Sequence, residues 1–340
     1  MEGRTILLAP LLLALALALA GSLIVATTIG PVAIPPLAVW RIILAHVVGV
    51  HSGASLADDN IVWLIRLPRV LLAAVVGAGL AVVGTAMQAA VRNPLADPYV
   101  LGLCSGASVG AVLVILSGLT VFGTYSLSIA AFLGALVSFA LVFTLAQHGG
   151  RMAATRLVLA GVSVSYIGSA LTSFLIFRAQ NGEAVQSVLF WLEGSLAGAE
   201  WSYLTLPAGM VLAGTLCLLL LARPMNALLA GDEEASTLGV DPNRFRKLLV
   251  VLVALLTGTM VAVSGGIGFV GLMLPHMIRL LVGSDHRRVL PVVCLAGAIF
   301  LVWVDVLARV LVAPEELPVG IITSAIGAPF FLFLLVGTRR

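Results

Sequence analysis

The chain has 340 residues, of which 61% are hydrophobic and 10% charged, with a formal net charge of +3. A water-soluble domain of that length keeps far more charge on its surface, so the composition excludes one and names lipid as the solvent. A charge of +3 is also too small to point to nucleic acid, and the 3 cysteines (Cys104, Cys217 and Cys294), far apart in or beside apolar runs, read as small buried hydrophobes.

Only helices and closed barrels satisfy the backbone in lipid, and continuous apolar runs without alternation select helices. The first run, 6–27, comes after Glu2 and Arg4. It is longer than a signal-peptide core and lacks a small-residue cleavage site, so it is kept as a span. The stretch 35–50, with Arg41 and His46, is too short to cross and is predicted to lie at the interface. Spans come next at 68–90, 99–118, 122–146 and 156–177, then a surface helix at 183–199. The remaining spans are predicted at 203–222, 248–266, 268–282, 290–311 and 318–337. The fold class is therefore an all-α polytopic membrane protein of about ten transmembrane helices. Small residues inside the spans, as in Gly77-Ala78-Gly79 and Gly265-Gly266-Ile267-Gly268, let backbones approach and imply one bundle. The Gly-rich span ends at 84–102 and 266–279 form a faint inverted echo of each other.

Orientation follows from lysine and arginine in the short loops. With the N-terminus inside, one side receives Arg4, Arg92, Arg151, Arg156, Arg223, Arg244, Arg246, Lys247, Arg279, Arg287, Arg288, Arg339 and Arg340. The other receives Arg41, Arg66, Arg69, Arg178 and Arg309. Thirteen against five predicts that both termini are cytoplasmic.

Catalytic and metal motifs are missing. His46, His51, His148, His276 and His286 show no metal-ligand spacing. No span carries a midplane carboxylate, Asp305 near an outer helix end being the nearest, which weighs against a proton- or sodium-coupled carrier. The single lysine, Lys247, lies outside any phosphate-binding loop, so an ATP-driven machine would bind its nucleotide on another polypeptide.

The longest cytoplasmic loop, 223–247, is read as a firm knob able to dock into a partner, or else as an ordinary solvated loop. Pro224 closes the sixth span. Gly231 and Asp232 start a short helix with Glu233 and Glu234 in its first turn, and Gly239 ends it. Asp241 then caps a second short helix with Pro242 at its first position.

Five segments in fixed order carry a resemblance: Arg66-Leu67-Pro68-Arg69, Asn93-Pro94-Leu95-Ala96-Asp97-Pro98, the loop 231–240, Gly268-Phe269-Val270-Gly271 with Pro275-His276, and Glu316-Leu317-Pro318-Val319-Gly320. Over nearly its whole length the chain resembles the permease subunits of type II ABC importers for iron-siderophore, haem and cobalamin uptake. The resemblance implies a homodimer in the bacterial inner membrane, two cytoplasmic ATPase subunits that carry ATP and Mg, and a periplasmic or lipid-anchored binding protein. This chain itself would hold no cofactor and catalyse nothing. Residues 1–340 would form one permease domain, with a coupling loop at 223–247.

The resemblance also assigns roles. Gly231, Asp232, Glu233, Glu234, Ala235, Leu238 and Gly239 would seat in a groove of each ATPase. Arg66, Arg69 and Arg309 would receive acidic residues of the binding protein; the alternative is that they are interfacial anchors. Asn93, Leu95, Ala154 and Thr155 would form the cytoplasmic gate, where relatives often carry hydroxyls at the last two positions and Ala154 departs. Val162, Ser163, Tyr166, Ser169 and Ala170, with Ile326 and Phe330, would line a path on the dimer axis, or simply pack helices. Arg178 would either select a carboxylate-bearing chelate or anchor at the interface. A ferric chelate or haem is the implied substrate, with cobalamin close behind. A secondary carrier or channel without an ATPase is the alternative function, and a membrane-embedded enzyme the third.

Overall fold

The computed structural model describes residues 8–337. Glu2, Arg4, Arg339 and Arg340, and the first residues of the 6–27 run, lie outside the described residues.

Helix α1 (Leu8–Thr28) has 21 residues, about 31 Å at 1.5 Å per residue, which matches a hydrocarbon core of about 30 Å. Helix α2 (Pro36–Val48) starts on proline and stops at Gly49 in the left-handed region. One face, Val39 and Ile42, packs with Ile34 and Val62 in a small separate cluster, while Leu37 and Val47 stay exposed, as an interfacial helix requires. Helix α3 (Leu56–Asn60) continues through a π-helical turn (Ile61–Arg66) into α4 (Leu67–Val91). The second span is thus longer than the predicted 68–90. Pro68 has no N–H to donate back to Leu64, and the helix absorbs that loss by widening, with Leu67 N–H bonding Val62 O, rather than by stopping.

Then come α5 (Leu103–Ser117), α6 (Ser126–Ala146), α7 (Ala154–Arg178) and the surface helix α8 (Gly182–Leu192). Helices α9 (Thr205–Leu220), α10 (Ala222–Ala230), α11 (Asp232–Thr237), α12 (Pro242–Ser264), α13 (Val270–Val282), α14 (His286–Val310) and α15 (Val319–Gly337) complete the chain. Among the described residues, seven helical stretches are long and apolar enough to cross a membrane. The shorter apolar helices α5, α13 and α15 take the other three predicted positions.

Two local readings are corrected. Pro224 does not close a span: α9 has already ended at Leu220, and the proline sits in the first turn of α10. Nor does the Asp241-Pro242 signal open a separate short helix. Asp241 Oδ1 accepts from the N–H groups of Asn243 and Arg244, and the helix it starts is the seventh span itself, running unbroken to Ser264. The two extramembrane helices of the loop are therefore α10 and α11.

Helix α4 is the buried axis of the bundle, ringed by α14, α12, α13, α9 and α1, while α5, α6 and α7 pack as a group beside it. Glycine sets the closest approach: a Cβ on Gly84 would stand 1.9 Å from the carbonyl oxygen of Gly271 on α13. Replacing Gly84 by valine is expected to split this contact at a cost of about 3 kcal/mol or more and to abolish the monodisperse size-exclusion peak in detergent. Gly21→Val, where nothing lies within 4 Å, should elute as the parent does.

At 13 residues, α13 rises only about 20 Å. Ahead of it, Gly265 to Phe269 run without helix, and Ile267 is fully buried. Irregular backbone at that depth needs internal partners. The Tyr99 hydroxyl supplies both, donating to Ile267 O at 2.8 Å and accepting from Ile267 N–H at 2.9 Å.

Candidate functional site

The functional candidates fall at the two ends of α4 and on one face of α7. Arg66 and Arg92 bracket α4 and stand about 39 Å apart along its axis. At the end where α4 begins, Arg66, Arg69 and Arg309 come together but are only 4%, 4% and 2% exposed. This differs from the accessible rim expected of them. Arg69 Nε donates to Asp305 Oδ1 at 2.8 Å and Arg69 Nη1 to Glu316 Oε2 at 2.7 Å. Arg309 Nε lies 3.1 Å from Asp305 Oδ2, and its Nη1 donates to Ile29 O at 2.8 Å. Arg66 donates to the carbonyls of Thr28 and Val32. Charges are buried here because each is matched: the guanidiniums take up the carbonyls freed at the end of α1 and the carboxylate of α14. Asp305 and Glu316 face Arg69 and Arg309, Asp58 acts on Arg66 from α3, and Glu316, 27% exposed, is the carboxylate of the ion pairs that is open to solvent.

At the other end, α11 projects from the bundle. Gly231 has φ +146°, and a Cβ there would meet the Glu234 carboxylate at 1.9 Å, so the entry turn needs glycine. Ala235 is buried against the protein, while Glu233, Glu234, Ser236 and Thr237 face outward and Leu238 is 70% exposed. Gly239, at φ +80°, closes the helix: its N–H bonds Ser236 O, and Val240 N–H bonds Ala235 O. Asp232 is turned inward, 2.9 Å from Arg246 Nη2 and 3.5 Å from Arg92 Nη1.

The predicted gate residues lie at the same end. Asn93 N–H donates to Gln88 O, and Asn93 Oδ1 accepts from Leu95 N–H at 2.9 Å, which folds the loop back and leaves Leu95 exposed. Ala154 is half-buried and Thr155 exposed at the start of α7. What ties the two parts together is Arg246, a residue that sequence reasoning used only in the charge count. The signal was present, since Arg246 falls on the same buried stripe of α12 as Leu249, Val250 and Val253.

Asp97, which caps the turn at Pro98–Leu101 through Tyr99 N–H, also belongs to this loop. Burial pushes its carboxyl up from 3.8 to about 6, against the lowering effect of the Tyr99 N–H. A carboxyl raised in the folded state binds protons that the unfolded chain has already released. Its contribution to stability is therefore present at pH 4 and lost as pH rises through 6. Asp97→Asn keeps the capping oxygen, and relative to it the parent should lose on the order of 2 kcal/mol between pH 4 and 7, read from thermal melts in detergent. Parallel melts of parent and variant across that range would exclude the shift.

On α7, Leu157, Ala160, Gly161, Val164 and Gly168 are buried, with α5 and the Pro98–Leu101 turn packed against the helix. The opposite stripe, Val162, Ser163, Tyr166, Ser169 and Ala170, is exposed, Tyr166 by 76%. Arg178 is exposed at the helix end. Of the two α15 candidates, Ile326 is exposed, whereas Phe330 is half-buried against Phe331 and His276.

Residues 11–337 match the FecCD transport family. The chain belongs to that family. The cobalamin import system permease protein BtuC of Halobacterium salinarum is 44% identical over 86% of this chain and 78% of its own length. The hemin transport system permease protein HmuU of Yersinia pestis is 46% identical over 82% of this chain and 84% of its own. Among solved structures, an inward-facing metal-chelate type ABC transporter superposes with a TM-score of 0.82 at 34% identity, covering 97% of this chain and 99% of that one. Membership of the FecCD family makes this polytopic chain an ABC-type permease, and a non-catalytic role is consistent with it.

Proposed function

We propose that the chain is the transmembrane subunit of an ATP-driven, binding-protein-dependent importer of a bulky metal chelate, working as a homodimer in the bacterial inner membrane with both termini cytoplasmic. Residues 1–340 act as one permease domain, and 223–247 as its coupling segment. The observation that carries this reading is α11: a short helix outside the bundle, its outer face bare and its inner face anchored. Two ATPase subunits, which hold ATP and Mg, bind α11 through Glu233, Glu234 and Leu238. A periplasmic or lipid-anchored binding protein docks at the outer end over Arg66, Arg69 and Arg309. Because these guanidiniums are buried, docking works by exchange: Glu316, partly open to solvent, is the carboxylate that an incoming one replaces on Arg69.

Released chelate enters between the two α7 helices, whose hydroxyl and aromatic face offers weak contacts suited to a cavity that must let go. Asn93, Leu95, Ala154 and Thr155 close it on the cytoplasmic side, and Arg178 stands at its outer mouth. Relatives named for hemin and for cobalamin support a chelate substrate; the exposed Arg178 favours a carboxylate-bearing one, an iron chelate or haem over cobalamin. A secondary carrier is disfavoured because Asp305, the carboxylate nearest to a span interior, is already paired with Arg69 and Arg309.

The path has a direct test. In a background lacking Cys104, Cys217 and Cys294, Tyr166→Cys is expected to cross-link two copies within the dimer and to be protected from a bulky thiol reagent by ATP binding. A Leu141→Cys control on the exposed side of α6 should do neither. Equal cross-linking at both positions would remove α7 from the axis.

A further inference from the structure

The cytoplasmic end contains a junction to which the importer reading gives no role. Arg246, in the second turn of α12, is 5% exposed, and its guanidinium is shared among three segments far apart in sequence. Nε donates to Ala90 O at 3.0 Å, Nη1 to Met152 O at 3.3 Å, and Nη2 to Asp232 Oδ1 at 2.9 Å. Each acceptor sits beside a residue of the proposed gate or coupling helix. Ala90 lies in the last turn of α4, three residues before Asn93. Its carbonyl would ordinarily bond the N–H of residue 94, but that residue is Pro94, so the acceptor is left free by the sequence and taken by Arg246. Met152 lies two residues before Ala154, the first residue of α7. Asp232 is the first residue of α11, and its same carboxylate oxygen lies 3.5 Å from Arg92, next to Asn93.

We propose that Arg246 is the positioning residue that makes the Asn93 loop and the start of α7 move with α11. The proposal rests on reading α11 as the ATPase-docking helix. A planar fork with separate donors holds three acceptors in different directions at once, which an ammonium on a flexible stem does not do. Displacement of α11 therefore reaches both halves of the gate through one rigid group. Neighbouring bonds brace the same junction: Asn243 Oδ1 accepts from Met152 N–H at 2.9 Å, and Lys247 Nζ donates to Gly150 O at 2.8 Å.

The test uses the full permease co-purified with its ATPase subunit, with a spin label at Leu95→Cys reporting the distance between the two gate loops of the dimer. Binding of a non-hydrolysable ATP analogue is expected to shift that distance in the parent. In Arg246→Gln and Arg246→Lys the ATPase still co-purifies and hydrolyses ATP, the shift is lost, and substrate moved per ATP falls by about tenfold. A residue that merely stabilised the fold would lower the melting temperature and leave the distance shift and the substrate moved per ATP unchanged. Should the glutamine variant fail to fold, the lysine variant, which keeps charge and stem, decides. A parental shift in Arg246→Lys would overturn the linkage while leaving α11 as the docking helix. An ATPase that stays bound after Leu238→Glu would remove the docking reading, and the linkage with it.

Discussion

Replacing Asp305 by alanine is expected to cost about 3–5 kcal/mol and to leave little permease that survives extraction into detergent. The carboxylate is fully buried and lies between Arg69 and Arg309, so its loss takes a countercharge from two buried guanidiniums. Arg69 keeps Glu316, and Arg309 keeps only carbonyls, so the damage centres on the joint between α1 and α14. Removing the pair together, as Arg69→Met with Asp305→Leu, should cost less than the sum of the single changes, by about 1–3 kcal/mol, because it withdraws charge and countercharge at once. Thermal melts of the four proteins give the coupling directly. Strict additivity would mean that the buried network is not a unit.

The second large effect concerns α11. Glu233→Lys combined with Leu238→Glu alters only outward-facing side chains, so stability should change by no more than about 0.5 kcal/mol. If the helix is the seat of the ATPase, loss of an exposed apolar anchor is worth about 2 kcal/mol or more, roughly a thirtyfold fall in affinity. Co-purified ATPase should drop accordingly and ATP-driven uptake should fall to background. Full association of the ATPase with this variant would place the docking surface elsewhere.

These two regions differ in how far they are legible in the sequence. Helix positions are: apolar runs and small-residue seams locate α1, α4 to α7, α9 and α12 to α15 because the demands of lipid act on each segment alone. Caps are also local, and Asp241-Pro242 and Gly239 fall where their chemistry places them. The length of the helix beyond a cap is set by distant partners instead. The charges Arg246 and Lys247 argue for a break before residue 248, yet the helix runs through them, because Ala90, Met152, Gly150 and Asp232 supply acceptors from elsewhere. The arginine cluster makes the same point. Its place at helix ends is readable, but its burial depends on Asp305 and Glu316, 236 and 247 residues away from Arg69, and no spacing rule reaches that far.

On the proposed reading the permease is a conduit without its own energy source, driven through α11. Purified permease reconstituted in liposomes, with labelled hemin, a ferric siderophore and cyanocobalamin each presented on the binding protein, tests this most directly. The expected result is accumulation of one of these only when the ATPase subunit and ATP are present on the α11 side. Accumulation by the permease alone under a proton or sodium gradient would contradict it.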